Sequence, residues 1–74
     1  MKDLAPMLAV LGNNIRKRRR AADLTQAELA ERADLHRTYI ADVERGGRNI
    51  SILNVVRFAR AFGISASELC EGLR

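Results

Sequence analysis

The stretch that decides the fold is LTQAELAERADLHRTYIADVERG, residues 24–46. Within it, Thr25 precedes Glu28 by three positions, and the apolar residues Leu24 and Leu29 flank this pair. That order is a capping box inside a hydrophobic staple, in which each side chain of the pair accepts a hydrogen bond from the other residue's backbone N–H. The sequence therefore predicts a helix that begins directly after Thr25.

The same kind of helix start recurs along the chain. Ser65 and Glu68 repeat the capping box. Ser51 repeats the cap, with Asn54 in the place of the glutamate, and His36 stands at a weaker fourth start. Together with the spacing of the apolar residues, these signals predict five helices, at about 7–22, 26–33, 37–45, 52–62 and 66–72.

The joins between the helices indicate how they assemble. Only residues 34–36 separate the second predicted helix from the third, which is the length of the turn in a helix-turn-helix unit. We therefore predict an all-α fold, a compact five-helix bundle formed by residues 1–74 as a single domain. Its predicted parts are an N-terminal extension at 1–6, a helix-turn-helix at about 25–45 and dimerisation helices at about 51–73. The inward face of the fourth helix is expected to carry Val55, Val56, Ala59 and Phe62.

Composition and charge limit the possible partners. The chain has 13 Lys and Arg against 9 Asp and Glu, a formal net charge of +4, which favours an anionic partner. Its apolar runs are shorter than the ~20 residues that a membrane helix needs, so we expect no membrane association and a cytoplasmic protein. The lone Cys70 fits a reduced thiol packed near the C-terminus. Because no second domain is expected, no small-molecule ligand is expected either.

The sequence offers little from which an active site could be built. His36 is the only histidine, and no Cys-His pair or Ser-His-Asp set can be assembled around it. Glycine-rich phosphate loops are also lacking. We therefore expect no catalytic residues, no metal site and no cofactor.

The third predicted helix has a polar face suited to DNA. With Ile40 and Val43 turned inward, the side chains of Arg37, Thr38 and Asp42 point outward. Arginine pairs in bidentate fashion with guanine O6 and N7, and the threonine methyl group suits thymine. Asp42 is suited either to accept from cytosine N4 or to orient a neighbouring arginine and repel wrong sequences. The alternative is an ordinary amphipathic helix with a mixed polar face.

The run RKRRR at residues 16–20 circles the first predicted helix completely, since each residue advances by about 100°. Arg19 lies four residues after Ile15 and so falls on the inward face. A buried cation needs an anionic partner, and Glu44 on the third helix is the candidate. The rest of the run serves either to attract phosphates or as a solvated helix face, and both interpretations stay open.

Residues 15–69 resemble the Cro/C1-type, XRE-like helix-turn-helix family, whose fold is lambda-repressor-like. The resemblance rests on TQAELA at 25–30, HRTYI at 36–40, VERG at 43–46 and RNIS at 48–51. This text is similar to the controller proteins of restriction–modification systems and to small regulators of phages and mobile elements. The resemblance implies a homodimer that binds a palindromic double-stranded DNA operator, controls restriction–modification or mobile-element genes and regulates its own gene.

The resemblance also implies roles for individual residues. Arg37 and Thr38 match base-reading positions, as Asp42 does in some members, and Arg19 and Glu44 match a family salt bridge. Family dimers pack through their last two helices, which places Ile52, Val55, Ile64, Leu69 and Leu73 near the interface. The residues expected at the DNA backbone are Gln26, His36, Tyr39, Arg45, Arg48 and Arg16.

Two departures concern the turns. Asp23 and Asp34 stand where family members usually have a glycine in the left-handed conformation, which aspartate tolerates at some cost.

The expected mechanism places two reading helices in successive major grooves, ~34 Å apart. Repression would exclude RNA polymerase sterically. Activation would require a contact with RNA polymerase, for which Glu28 and Glu31 are the candidates. The alternative function is a protein-interaction module, such as an antitoxin or an anti-regulator. RNA binding is disfavoured because the chain has only three aromatic residues for stacking.

Overall fold

A computed structural model describes residues 4–74, and over this range the chain is helical with no strands. The helices are α1 (Ala5–Ala21), α2 (Gln26–Ala33), α3 (Arg37–Glu44), α4 (Ile52–Phe62) and α5 (Ala66–Leu69). The all-α prediction is therefore confirmed. Among the described residues, no helix reaches the length and hydrophobicity that crossing a bilayer requires.

The helix starts form as their sequences predict. Thr25 Oγ1 accepts from the backbone N–H of Glu28 at 3.1 Å, and the Thr25 N–H donates to Glu28 Oε1 at 2.8 Å. Ser65 and Glu68 form the same reciprocal pair. Ser51 caps α4 through the N–H of Asn54, whereas His36 makes no side-chain capping bond to α3. Local sequence thus determines where these helices begin.

The two ends of the bundle differ from the prediction. Helix α1 already begins at Ala5, because Pro6 lies in the first turn, where its missing N–H has no helical partner to lose. The predicted extension at 1–6 is therefore shorter, and its residues 1–3 lie outside the described range. Helix α5 ends at Leu69 instead of residue 72. There, Asn14 Nδ2 donates to the carbonyls of Leu69 at 2.9 Å and Glu71 at 2.8 Å, which ties this end to α1.

The core lies where the helices converge. Its fully buried large side chains are Phe58, Ile15, Leu29, Ile40 and Leu69. The predicted inward face of α4 is correct for Val55 and Ala59 but missed Phe58, and Phe62 is only half-buried. Phe58 shares that face with Val55, and its ring stacks on that of Tyr39 on α3, at 6.5 Å between centroids.

Gly12 sets the distance between α1 and α3. A Cβ atom at this position would collide with the carbonyl oxygen of Val43 and lie 3.1 Å from that of Glu44. Both atoms are backbone and cannot move aside cheaply. Glycine is therefore required for α3 to pack this closely on α1, and this contact fixes the orientation of α3.

The two turns that carry aspartate adopt the left-handed conformation. Asp23 has a φ of 58° and Asp34 a φ of 56°. Asp34 closes α2, and its N–H donates to the carbonyls of Ala30 and Glu31. The turn of the helix-turn-helix thus keeps its geometry without glycine.

Candidate nucleic-acid interface

Helix α3 presents a polar, cationic face to solvent. Ile40, Val43 and Glu44 are buried on its inner side, as the spacing predicts. We define the reading surface as the polar residues on the opposite side of α3 and in the loop that follows, namely Arg37, Thr38, Asp42, Arg45 and Arg48. All of these are exposed except Asp42, which is half-buried. The reading surface therefore carries four arginine or threonine side chains that can reach a ligand.

Asp42 organises the C-terminal part of the reading surface. Its Oδ1 accepts from Arg45 Nη2, one turn further along, and its Oδ2 accepts from Arg48 Nη1 at 3.4 Å. This geometry is the one expected if Asp42 orients neighbouring arginines. The structure contains no base, so the cytosine-reading role of Asp42 stays a prediction.

Tyr39 connects the reading surface to the core. Its ring stacks on Phe58, and the guanidinium of Arg48 lies 5.2 Å above the ring centroid. The hydroxyl oxygen accepts from Asn54 Nδ2 at 3.0 Å. The O–H hydrogen is then free to donate elsewhere, so this group is held in place and ready to donate to an acceptor such as a phosphate oxygen.

The pair expected between Arg19 and Glu44 is present and buried. Arg19 Nε donates to Glu44 Oε2 at 2.6 Å, and Nη2 donates to Oε1 at 3.0 Å. The side chains are 13% and 3% exposed. Hydrogen bonding to Glu44 raises the pKa of Arg19 above its usual range, with a further contribution from the charge of the carboxylate. The pair with Glu44 therefore favours the charged form of Arg19.

Gln26 joins the same network. Its Nε2 donates to Glu44 Oε1 at 3.2 Å, which holds the amide at the first residue of α2. The amide has a second N–H that remains able to donate. Across residues 4–74, every buried side-chain nitrogen and oxygen has a hydrogen-bond partner.

These residues line an open cleft at the N-terminus of α2. We call it the α2 cleft, and its lining residues are Arg19, Thr25, Gln26, Ala27 and Arg37. The free N–H groups and the positive dipole end of a helix attract anions. Arg37 adds to that field, whereas the charge of Arg19 is compensated by Glu44. Arg37 belongs to both the α2 cleft and the reading surface, so the two form one continuous cationic region.

The comparisons with known proteins agree with this geometry. The sequence profile of the helix-turn-helix family matches residues 15–69. This chain belongs to the helix-turn-helix family. The matched range begins at Ile15 in the core and ends at Leu69, so it covers the buried network, the reading surface and both predicted dimerisation helices.

Similar proteins have a stated regulatory role. Control protein C.BamHI from Bacillus amyloliquefaciens is 38% identical over 63 residues, which cover 84% of this chain and 78% of that protein. The crystal structure of the restriction–modification controller protein C.AhdI from Aeromonas hydrophila is 40% identical, covers 84% of this chain and 94% of its own, and has a TM-score of 0.82. The controller protein C.Esp1396I was solved as a tetramer on its natural 35 base-pair operator; it is 31% identical, covers 90% of this chain and 88% of its own, and has a TM-score of 0.81. This helix-turn-helix chain is thus a DNA-binding transcription regulator of the controller type.

The residues predicted at a dimer interface fall into two groups. Val55 and Leu69 are buried within the single chain, at 5% and 0% exposure, so their prediction as interface residues is corrected to core residues. The periodicity of a helix cannot separate these two roles. Ile64 and Leu73 are half-buried against the core, whereas Ile52 is 74% exposed.

The other predicted contact residues lie on the surface of the described range. His36 and Arg16 are both exposed, His36 at the start of α3 and Arg16 on α1, where it takes no part in the Arg19–Glu44 network. The carboxylate of Glu28 accepts the N–H of Thr25 in the capping box. Over residues 4–74, no three His, Cys, Asp or Glu side chains gather as metal ligands would.

Sequence reasoning missed two residues of this region. Asn54 holds the hydroxyl of Tyr39, and Leu53 is 59% exposed beside Ile52. The departure of Asn54 from the glutamate of the capping box was a signal that its side chain has another task. Two adjacent apolar residues at the first turn of α4 were a signal as well, since the side chains of two neighbouring helix positions point about 100° apart and do not share one inward direction.

Proposed function

We propose that this regulator binds a palindromic operator as a homodimer and controls the transcription of neighbouring genes, its own included. The observation that carries the proposal is the continuity of the reading surface with the α2 cleft. Exposed side chains whose chemistry suits base edges thereby lie beside a helix N-terminus that attracts phosphate. No catalytic activity is part of this proposal.

The two parts of the region have different tasks in the proposed complex. Phosphate contacts set the register of the protein on the duplex, and contacts with base edges supply specificity. Gln26 and Tyr39 are the backbone contacts that the geometry favours, because each is held in place and keeps an N–H or O–H that can donate. Arg37 reads guanine in the major groove, and the methyl group of Thr38 packs against thymine.

The proposed dimer forms through the start of α4. Ile52 and Leu53 are the most exposed of the large apolar side chains that the structure describes. Burying each against a second copy contributes roughly 1.5–3 kcal/mol, and a chain of this size gains from oligomerisation. A two-fold axis there would present two α3 helices to successive major grooves, ~34 Å apart.

We propose restriction–modification genes as the regulated genes, because the similar proteins named above are controllers of such systems. A regulator carried by a mobile element is the second candidate. Repression would follow from steric exclusion of RNA polymerase. Activation would use an exposed acidic contact, for which Glu31 is better suited than Glu28, since the carboxylate of Glu28 is already engaged. The proposed location is the cytoplasm, where the DNA is.

Binding is tested with a duplex from the upstream region of the protein's own gene and with a scrambled duplex of the same composition. At physiological salt, we expect operator binding at least 10³-fold tighter than scrambled binding. Arg37→Ala is expected to cost about 1–3 kcal/mol on the operator and less on the scrambled duplex. The matched control is Arg32→Ala, which removes the same charge from the opposite end of α2. Equal affinity for both duplexes would overturn the proposal.

Dimerisation is tested by sedimentation equilibrium of Leu53→Asp and Ile52→Asp. Both are expected to be folded monomers that bind the operator weakly. Val10→Asp, which places the same charge on a partly exposed apolar position of α1, is expected to remain dimeric. A wild-type protein that is monomeric with and without DNA, and that instead forms a stable complex with another protein, would favour the protein-interaction module.

A further inference from the structure

The carboxylate of Asp42 is shared by two arginines of the reading surface. One oxygen accepts from Arg45 and the other from Arg48. The arginine side chains are 71% and 53% exposed, while that of Asp42 is only 25% exposed. A negative charge therefore lies in the middle of the surface that is expected to approach a polyanion.

The shared carboxylate is anchored to the rest of the fold. The N–H of Gly47 donates to the backbone carbonyl of Asp42 at 3.0 Å, which folds the loop that carries Arg48 back over α3. Arg48 also lies over the ring of Tyr39, which itself stacks on the buried Phe58. The position of Arg48 beside Asp42 is thus set by the core and by the loop, and does not depend on the ion pair alone.

We propose that Asp42 determines how well the protein discriminates its operator from other DNA, by holding Arg45 and Arg48 back from the phosphates of non-operator duplexes. This inference rests on the proposed function. Binding to non-operator DNA comes from phosphate contacts alone and grows with each cation that makes one. An arginine that is paired with Asp42 has its charge partly neutralised and its guanidinium held at the carboxylate, so it gains less from such a contact than an unpaired arginine does.

The effect of Asp42 falls unequally on the two kinds of DNA. Operator binding also draws on base contacts of Arg37 and Thr38, which lie at the other end of α3 and are not paired with Asp42. These base contacts fix one register on the operator, in which Arg45 and Arg48 stay paired with Asp42. Non-operator binding samples many registers and depends on whatever phosphate contacts form, so withholding two cations weakens it by a larger factor. Asp42 is therefore a specificity-determining residue that acts through its neighbours and does not require a contact with a base.

The decisive variant is Asp42→Asn, which keeps the shape of the side chain and removes its charge. Fluorescence anisotropy on the scrambled duplex between 50 and 200 mM salt, a range in which phosphate contacts are readily resolved, is the measurement. At about 150 mM salt we expect binding about 10-fold tighter than wild type. The slope of log K against log salt should steepen by about 1–2, because each new phosphate contact adds ~0.9. Operator affinity should rise by less than about 3-fold.

Two controls separate this mechanism from simpler ones. Glu31→Gln removes the same charge from an exposed site on α2, and we expect it to change scrambled binding by less than about 2-fold. In the background Arg45→Ala, Arg48→Ala, the further change Asp42→Asn should give no gain, since the withheld cations are gone. A gain that persists there would show through-space repulsion and overturn the inference, as would an Asp42→Asn variant that behaves like Glu31→Gln.

The remaining outcomes distinguish this inference from the proposed function. If Asp42→Asn weakens operator binding and leaves scrambled binding unchanged, Asp42 reads a base and the inference is wrong. If the wild-type protein does not prefer its upstream region, the proposed operator function fails. The steeper salt slope on the scrambled duplex still tests whether Asp42 withholds Arg45 and Arg48, because that measurement needs no operator. Thermal melting of Asp42→Asn close to that of the wild type verifies that the variant is folded.

Discussion

Arg19 on α1 and Glu44 at the end of α3 form a two-point hydrogen-bonded ion pair, with Nε 2.6 Å from Oε2 and Nη2 3.0 Å from Oε1. The third nitrogen, Nη1, donates to the carbonyl of Leu24 at 2.9 Å. One side chain thus joins α1, the loop before α2 and α3. The pair fixes the reading helix from behind, on the side opposite the reading surface.

Removing Arg19 should destabilise the protein strongly. In Arg19→Ala, Glu44 would keep only Gln26 as a partner and would be a nearly unpaired buried charge. Breaking a buried pair in this way costs about 3–5 kcal/mol, and the lower end is expected because Arg19 is 13% exposed. Thermal unfolding should show a Tm lowered by more than about 10 °C. Arg16→Ala, on the exposed side of the same helix, is the control, and a Tm for Arg19→Ala equal to the control's would contradict the prediction.

Gly12→Ala should disturb the reading helix although it adds a single methyl group. The new Cβ would meet the backbone carbonyls of Val43 and Glu44, so α3 must move away from α1. We expect a loss of about 1–3 kcal/mol and weaker operator binding, measured by thermal melting and by fluorescence anisotropy. Gly63→Ala is an instructive comparison. Open space surrounds that position, so only the cost of its left-handed backbone is expected there, with operator binding retained in the folded protein.

Tyr39→Phe should weaken DNA binding while leaving the stability of the fold nearly unchanged. The phenylalanine ring keeps the stacking on Phe58 and the contact with Arg48, so the Tm is expected to change by only a few degrees. The lost O–H can no longer donate to a phosphate, which should weaken binding to operator and scrambled duplexes alike, by about 5–10-fold, or ~1–1.4 kcal/mol. A selective loss on the operator would instead assign Tyr39 to base reading.

Protonation of the two capping glutamates should lower the stability of the protein at acid pH. Hydrogen bonds from the backbone N–H of Thr25 and of Ser65, and then from their side chains, lower the pKa of Glu28 and of Glu68 below the ordinary range. A carboxylate with a lowered folded pKa stabilises the fold above its unfolded pKa of about 4.3, and this contribution is lost as the pH falls through the folded value.

Melting curves across pH should therefore show no change from these two groups between pH 5 and 8 and a declining Tm below about pH 4.3. Glu28→Gln and Glu68→Gln should each flatten part of that decline, because glutamine still accepts the N–H bond but does not titrate. Glu31→Gln, which lies outside both capping boxes, should keep the wild-type decline. A Tm that falls just as steeply in Glu28→Gln and Glu68→Gln would rule out this cause.

The features that sequence predicted well depend on residues close together in the chain. The capping boxes at Thr25 and Ser65 involve residues three apart, so local chemistry determines them. The Arg19–Glu44 pair spans 25 positions, yet charge alone pointed to it, because an inward-facing cation needs an anion. The solvent-exposed side of α3 followed from its apolar spacing in the same way.

The features that sequence missed depend on the crossing of elements distant in the chain. The need for Gly12 exists only where α1 touches α3. Val55 and Leu69 match the apolar stripe of an interface as well as that of a core, and only the packing of the whole bundle assigns them to the core. The ties of Asn54 to Tyr39 and of Asn14 to the C-terminal turn also join separate helices.

The left-handed aspartates at the two turns bear on how this regulator can evolve new DNA specificities. A side chain with a Cβ costs roughly 1–2 kcal/mol in that conformation, and glycine regains only part of this because it loses more entropy on folding. Asp23→Gly and Asp34→Gly are therefore expected to stabilise the fold without changing any side chain of the reading surface. Since new specificities usually come from substitutions that destabilise, a lineage that acquired these glycines first would tolerate a wider range of reading helices, and hence of new operators.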